Sequence, residues 1–358
     1  MKKRIVFLYC EIMGYTLAGL RALLQTDRDF ELYVVSWDRD NLTPYKFEAL
    51  AGMNYRRLSE FSSAGELLTY CKSLQPDVLF VCSWNMTGGK YMTVSKYFTA
   101  KGIPTICMFD NQWMGTLKQW IGIWTASFFL RKHFTFMWGC GDRQVDFARR
   151  LGYSEEKIFD GFYTCDADLY RTIPIDRTGK KHSLLFVGRF VREKGIDLLL
   201  TAFREISDDY PEWDLLLVGS GSLEATGLTQ GDRINVVTFK QPDALASVFA
   251  EASVFCLPSL FEPWGVVIHE AAIAGLPIVC SDACGAGDAF LVEGVNGFKF
   301  AKGSKDELKS ALIKVMSATD SERKHMGIKS RALGEKNTPE KWSRKFLEIV
   351  NKVTYQLY

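Results

Sequence analysis

Short apolar runs recur along the chain, at residues 5–10, 32–36, 78–82, 105–109, 134–138, 184–187, 215–218, 236–239, 254–257 and 277–280. Each has the length of a strand and little polar alternation, which predicts strands buried on both faces. Between many of them the spacing turns helical. Residues 17–24 form one such stretch, and residues 197–206 bring Leu199, Leu200, Phe203 and Ile206 onto one face. Strands alternating with helices predict an α/β chain whose parallel sheets are covered by helices on both sides. The polar stretch RTIPIDRTGKKH, at 171–182, interrupts the series and predicts a linker over 171–181. It separates a domain over 1–170 from a second over 182–336. Beyond that, Thr338 followed by Pro339 predicts a helix N-cap with proline at the first helical position. The helix would run to about Gln356, with Trp342, Phe346, Ile349 and Val353 as its apolar stripe.

Composition narrows the class. With 47% hydrophobic and 24% charged residues, the chain reads as an ordinary globular protein rather than a disordered or fibrous one. Its 358 residues fit two domains. Lys and Arg number 44 against 42 Asp and Glu, which gives no nucleic-acid footprint. The nine cysteines form no C-x2-C pair and most sit in apolar runs, as expected of thiols in a reducing compartment. Glu11 ends the first apolar run too early for a signal peptide, and no run approaches the ~20 residues of a membrane-spanning helix. A cytoplasmic location is expected.

The strongest chemical signal lies in the second half. LLFVGRFVREKG, 184–195, reads as a buried strand, a tight turn at Gly188, and cations ahead of a helix. Arg189 and Lys194 would flank that helix N-terminus, whose free N–H groups already favour anions. Arg offers a planar fork to two phosphate oxygens and Lys a point charge; the alternative is two solvated surface cations. PSLFEPWGVVIHE, 258–270, follows another strand and leads into an apolar helix. Glu262 stands in its turn, Glu270 about two helical turns on, and the N-terminus near Gly265 offers backbone donors to a phosphate. Carboxylates on either side of a phosphate suit a sugar nucleotide, with sugar hydroxyls at one end and ribose hydroxyls at the other.

VGRFVREKG, the E-x7-E spacing of Glu262 and Glu270, and the following GLPIVCSDACGAGDAFLVEGVNGFKF together resemble the retaining GT-B glycosyltransferases of family 4 (glycosyl transferases group 1). GFYTCDADLY, 161–170, stands where that family usually has an Asn-Gly-Val-Asp turn. The resemblance is close over 180–300 and loose in the first half. It implies two Rossmann-like domains facing across a cleft, the first on the acceptor side and the second holding a sugar-nucleotide donor. The last helix would cross back to the first domain. By this resemblance Arg189 and Lys194 hold the diphosphate, Glu262 meets hydroxyls of the transferred sugar, and Glu270 those of the ribose. Trp264, Gly265 and Val266 supply the loop and amides around sugar and phosphate. Gly219 and Gly221 line the nucleotide side, unless they are only a turn, and Lys240 and Gln241 fall in the nucleobase region. A retaining hexosyltransferase is implied, with no cofactor beyond its nucleotide-sugar co-substrate and a glycan or glycolipid acceptor.

The first half departs from the family pattern. Many members carry a Gly-Gly turn after the first strand; here CEIMGY keeps only Gly14 in a matching place. Many have a His after the fourth strand; here MFDNQW puts Asp110 or Asn111 near that position. Asp110 would orient an acceptor hydroxyl or stabilise an oxocarbenium-like transition state, or serve only as a turn residue. From Trp113 to Trp138, four Trp and four Phe interleave with Lys118, Arg131, Lys132 and His133. Aromatic and basic side chains together favour a bilayer interface, the alternative being a packed helix followed by a strand. The membrane reading places the protein peripherally on the cytoplasmic face and makes the acceptor a lipid-linked glycan. Three D-x-D triplets, Asp27/Asp29, Asp38/Asp40 and Asp166/Asp168, are not expected to hold a metal, because Arg189 and Lys194 already answer the diphosphate charge. His269, next to Glu270 on a helix, points elsewhere. Two other readings stay open: a sugar-nucleotide epimerase, drawing on Glu262, His269 and Asp110, and a non-catalytic sugar-nucleotide-binding protein. A nicotinamide-dependent dehydrogenase lacks its G-x-G-x-x-G after the first strand.

Overall fold

The computed structural model describes residues 2–26, 29–38, 45–84, 87–223 and 231–355; Asp27, Asp40 and Gln356 lie outside them. The chain divides into two compact units, Met1–Thr164 with Pro339–Tyr358, and Cys165–Thr338. The second begins ahead of the 171–181 stretch and includes the short helix Ala167–Arg171.

In the first unit, β1 (Lys3–Tyr9), β2 (Phe30–Ser36), β3 (Met53–Arg57), β4 (Val78–Cys82), β5 (Thr105–Phe109), β6 (Phe136–Gly139) and β7 (Ile158–Phe159) form one sheet in the order β3-β2-β1-β4-β5-β6-β7. All its pairings are parallel. The central strands β4 and β5 are buried throughout, as their uninterrupted apolar runs require. The helix Gly14–Gln25 follows β1, and the last helix, Pro339–Tyr355, packs on it so closely that a Cβ at Gly19 would lie 2.9 Å from the Trp342 ring. Trp342, Phe346, Ile349 and Val353 are all buried. Phe346 stacks on Phe80 of β4 at 4.5 Å, and the Trp342 indole donates to the Phe162 carbonyl at 2.8 Å.

In the second unit, β8 (His182–Val187), β9 (Trp213–Val218), β10 (Ile234–Val237), β11 (Val254–Leu257), β12 (Ile278–Ser281) and β13 (Gly297–Phe300) form a parallel sheet in the order β10-β9-β8-β11-β12-β13. Both sheets are Rossmann-like. Strand order reverses between β1 and β4 in one and between β8 and β11 in the other. Ligands of open parallel sheets bind outside the carboxyl ends of the strands at such a point.

Three differences from the sequence reading stand out. The expected buried strand at 236–239 is instead β10, ending at Val237, with Val236 42% exposed. β3, β7 and β13 carry no long apolar run and were not anticipated. The segment from Trp113 to Trp138 does not form one exposed face: Trp113 packs edge-on to Trp120 and against Phe147, and Trp138 is wholly buried in β6. His133 is also buried, with Nδ1 3.0 Å from the Met92 carbonyl. Between these lies the helix Leu117–Phe129, most of whose large side chains face solvent. No helix among the described residues is long and apolar enough to cross a membrane.

Candidate functional site

The second unit gathers its candidate residues on the loops after β8, β9 and β11. Gly188 follows β8, and the loop after β9 comes back against it. A Cβ at Gly219 (φ +144°) would fall 1.9 Å from the Gly188 carbonyl oxygen, and one at Gly221 2.5 Å from that of Phe190. The Phe190 N–H donates to the Ser220 carbonyl at 2.8 Å and the Leu223 N–H to the Phe190 carbonyl at 3.0 Å. This backbone-to-backbone approach is open only to residues without side chains. Arg189, on the same turn, is exposed.

Gly195 (φ +65°) caps the helix Ile196–Ile206, and a Cβ there would lie 2.0 Å from the Pro258 carbonyl oxygen. The Leu260 N–H donates to the Glu193 carbonyl at 2.8 Å. These contacts fix residues 193–195 against the loop after β11. There the Lys194 ammonium forms an ion pair with the Glu262 carboxylate, the two side chains being 19% and 11% exposed. Ser259 Oγ donates to the same carboxylate oxygen at 3.4 Å, and Ser281 Oγ donates to the Ser259 carbonyl at 2.5 Å. Lys194 and Glu262, given separate partners in the sequence reading, are therefore directly joined in this structure.

Gly265 (φ +94°) caps the helix Val266–Ile273, and its Cβ position would meet Glu262 Cγ at 3.0 Å. Trp264 is buried against Phe290, ring centroids 6.2 Å apart. The Gly285 and Ala286 amides donate to the Glu262 and Trp264 carbonyls at 3.1 and 2.9 Å. The loop is thus braced from below, leaving the Val266 end of the helix as a source of backbone donors.

Glu270 lies on that helix, partly buried beside Tyr170 and Asp166. Burial pushes its carboxyl up to about 7; the Asp166 charge raises it too, and the Tyr170 hydroxyl opposes them. Burial, followed by the charge of Glu270, holds the Tyr170 phenol well above the usual range. The sequence marked 161–170 only as a turn and missed that it furnishes Glu270's surroundings. Asp168 points elsewhere, exposed and paired with Arg171 at 3.2 Å. Among the described residues no group of three or more His, Cys, Asp or Glu could hold a metal ion.

His269 takes the other side of the helix. It is buried, stacks on Phe290 at 4.1 Å, and places Nε2 2.9 Å from the Gly334 carbonyl. Burial lowers its imidazole to about 4. Lys240, partly buried, and Gln241, exposed at the N-cap of the helix Pro242–Glu251, follow the edge strand β10, two strands from β8.

In the first unit, Gly14 opens the helix after β1, with Met13 as its N-cap. Asp110 follows β5. Its carboxylate accepts from the Tyr163 hydroxyl at 3.4 Å and its main-chain carbonyl from Gln144 Nε2 at 2.8 Å, while Asn111 is exposed. Tyr15 meets the Tyr163 ring edge-on at 5.4 Å. Burial first, then the Asp110 charge, raises the Tyr163 phenol well above its usual range. Tyr15 and Tyr163 were not found from sequence, because neither belongs to a motif with fixed spacing from Asp110.

Residues 174–333 match the family described as glycosyl transferases group 1. An uncharacterized glycosyltransferase of Haemophilus influenzae is 33% identical over 137 residues, which cover 36% of this chain and 38% of that protein. The chain thus spans well under half the length of this curated relative. Among solved structures, the sucrose-phosphate synthase of Thermosynechococcus elongatus superposes with a TM-score of 0.75 at 15% identity, covering 99% of this chain and 100% of that one. The Anabaena HepE protein, in complex with UDP and glucose, gives 0.70 at 17% identity over 97% of this chain and 99% of that one. The fold is accordingly that of the GT-B glycosyltransferases, two Rossmann-like units, and the second unit carries the group 1 sequence pattern.

Proposed function

We propose that the protein is a retaining glycosyltransferase. It moves a hexosyl group from a nucleoside-diphosphate sugar to a hydroxyl of a surface glycan or lipid-linked intermediate, in the cytoplasm and with no metal. The observation that carries this reading is the cluster after β8 and β11: Lys194 paired with Glu262 in front of the helix that bears Glu270. That cluster lies within the segment matching the group 1 family.

Arg189 and Lys194 hold the diphosphate, with Gly188, Gly219 and Gly221 admitting the nucleotide close to the backbone. Trp264, Gly265 and Val266 form the loop and amides around sugar and phosphate. Glu270 binds the ribose hydroxyls, and Lys240 and Gln241 border the base. As the bond from the anomeric carbon to the phosphate oxygen breaks, negative charge grows on the leaving diphosphate. Cations and a helix terminus fixed around it stabilise that charge more than the ground state. The acceptor hydroxyl attacks the same face and its proton passes to a leaving phosphate oxygen. Glu262, released from Lys194 as the diphosphate takes the ammonium, anchors the sugar hydroxyls. In the first unit, Gly14 is assigned to donor binding and Asp110, held by Tyr163, to orienting the acceptor hydroxyl.

The epimerase reading loses support, since His269 is buried against Phe290 and bonded to the backbone. A thermal-shift screen with UDP-, GDP- and ADP-sugars tests the proposal. One base class should raise the melting temperature; no shift with any of them would remove the donor site.

A further inference from the structure

We propose that the outer face of the helix Leu117–Phe129 seats in the interface of an anionic lipid bilayer. At about 100° per residue, Leu117, Trp120, Ile121, Trp124 and Phe128 fall on one stripe, with Gln119, Ile123 and Ala126 opposite. The second stripe faces protein. Ile123 packs on the core, Ala126 is buried, and Gln119 bonds the backbone of residues 112 and 114. The first stripe carries the larger side chains and faces solvent: Leu117 is 77% exposed, Trp120 58%, Ile121 57%, Trp124 81% and Phe128 72%. A helix on a water-facing surface shows polar residues there. Trp and Phe are the side chains that settle at the boundary between headgroups and acyl chains.

Charge and size select the occupant. Residues 111–141 contain no Asp or Glu, while Lys118, Arg131 and Lys132 are exposed beside the stripe. This combination complements a negatively charged surface. A second copy of the chain is a poor fit. The helix has 13 residues, so at ~20 Å by ~10 Å the stripe offers roughly 200 Å², against the ~800 Å² per partner of a stable protein interface. A bilayer sets no such minimum, because inserted rings and basic residues near an anionic surface add their contributions. The helix lies parallel to the membrane, rings inward and Lys118, Arg131 and Lys132 at phosphate level.

Co-sedimentation with phosphatidylglycerol–phosphatidylcholine vesicles, next to pure phosphatidylcholine, tests the seat. The wild-type protein should pellet with the anionic vesicles at low salt, release at least tenfold at high salt, and show blue-shifted tryptophan fluorescence when bound. Trp124→Glu and Phe128→Glu should keep their circular dichroism and lose at least tenfold in partitioning. Lys118→Glu with Lys132→Glu should lose binding to the anionic vesicles while staying folded. Wild-type protein left in the supernatant at low salt overturns the proposal. So does unfolding of Trp124→Glu, which would make that ring a packed one, or a dimer that Trp124→Glu splits in a protein that ignores vesicles. Partitioning is read without nucleotide or turnover, so its failure leaves the donor site standing.

Discussion

Glu270 and His269 are neighbours on one helix with opposite responses to pH. The Glu270 carboxyl is raised from 4.5 to about 7, so its contribution to stability is fully present below about 4.5 and is lost as pH rises through about 7. The His269 imidazole is lowered from 6.5 to about 4, so its contribution is present above 6.5 and is lost as pH falls through about 4. Glu270→Gln should therefore stabilise the protein at pH 8, by something on the order of 1–3 kcal/mol given the side chain's partial exposure. It should also flatten the slope of urea midpoint against pH between 5 and 8. An unchanged slope would mean that the carboxyl is not held high. The arrangement has a binding counterpart. In the proposed site ribose hydroxyls donate to the ionised form, so donor binding should release a fraction of a proton near pH 7, seen as a buffer-dependent calorimetric enthalpy that Glu270→Gln removes. These neighbours also show how far the sequence reached. Helical spacing sufficed to turn His269 away from Glu270. The nearness of Asp166 and Tyr170 needed the fold, because those residues come from another segment with no periodic relation to Glu270.

At the level of elements, the central strands were legible and the edges were not. β4, β5 and β11 are uninterrupted apolar runs because neighbours and helices cover them on all sides. β3, β7, β10 and β13 are the four edge strands of the two sheets. An edge needs one partner and tolerates polar or very short sequences, as in MNYRR of β3, so the hydrophobic pattern fades there. The last helix was legible for a different reason: its proline start and its stripe of Trp342, Phe346, Ile349 and Val353 are local signals. Loops are legible only through glycine. Gly219 sits at φ +144° with the Gly188 carbonyl where a Cβ would be, so Gly219→Ala must push the two loops apart. Its expected cost is at least about 2 kcal/mol in the urea midpoint, with loss of sugar-nucleotide binding. A variant that keeps both would show that this approach is not needed for the site.

For the whole molecule, the loops after β8, β9 and β11 of the second unit carry the donor site we propose, while the chemistry of the first unit was only faintly written. The single Gly14 and the Asp110 turn gave no spacing to read, and the pairing of Asp110 with Tyr163 joins residues far apart in the chain. The proposed metal independence is tested on the complete reaction. Turnover should survive dialysis against a chelator, and the product should keep the donor's anomeric configuration by NMR. Loss of turnover restored by magnesium or manganese would assign the diphosphate charge to a metal instead of Arg189 and Lys194. The most direct measurement of the central claim is calorimetric titration of the preferred sugar nucleotide into wild-type protein, Arg189→Ala and Glu270→Ala. Saturable binding to the wild type and a loss of about 1.5–3 kcal/mol in each variant are expected, with all three folded by circular dichroism. Equal affinity in all three would contradict it.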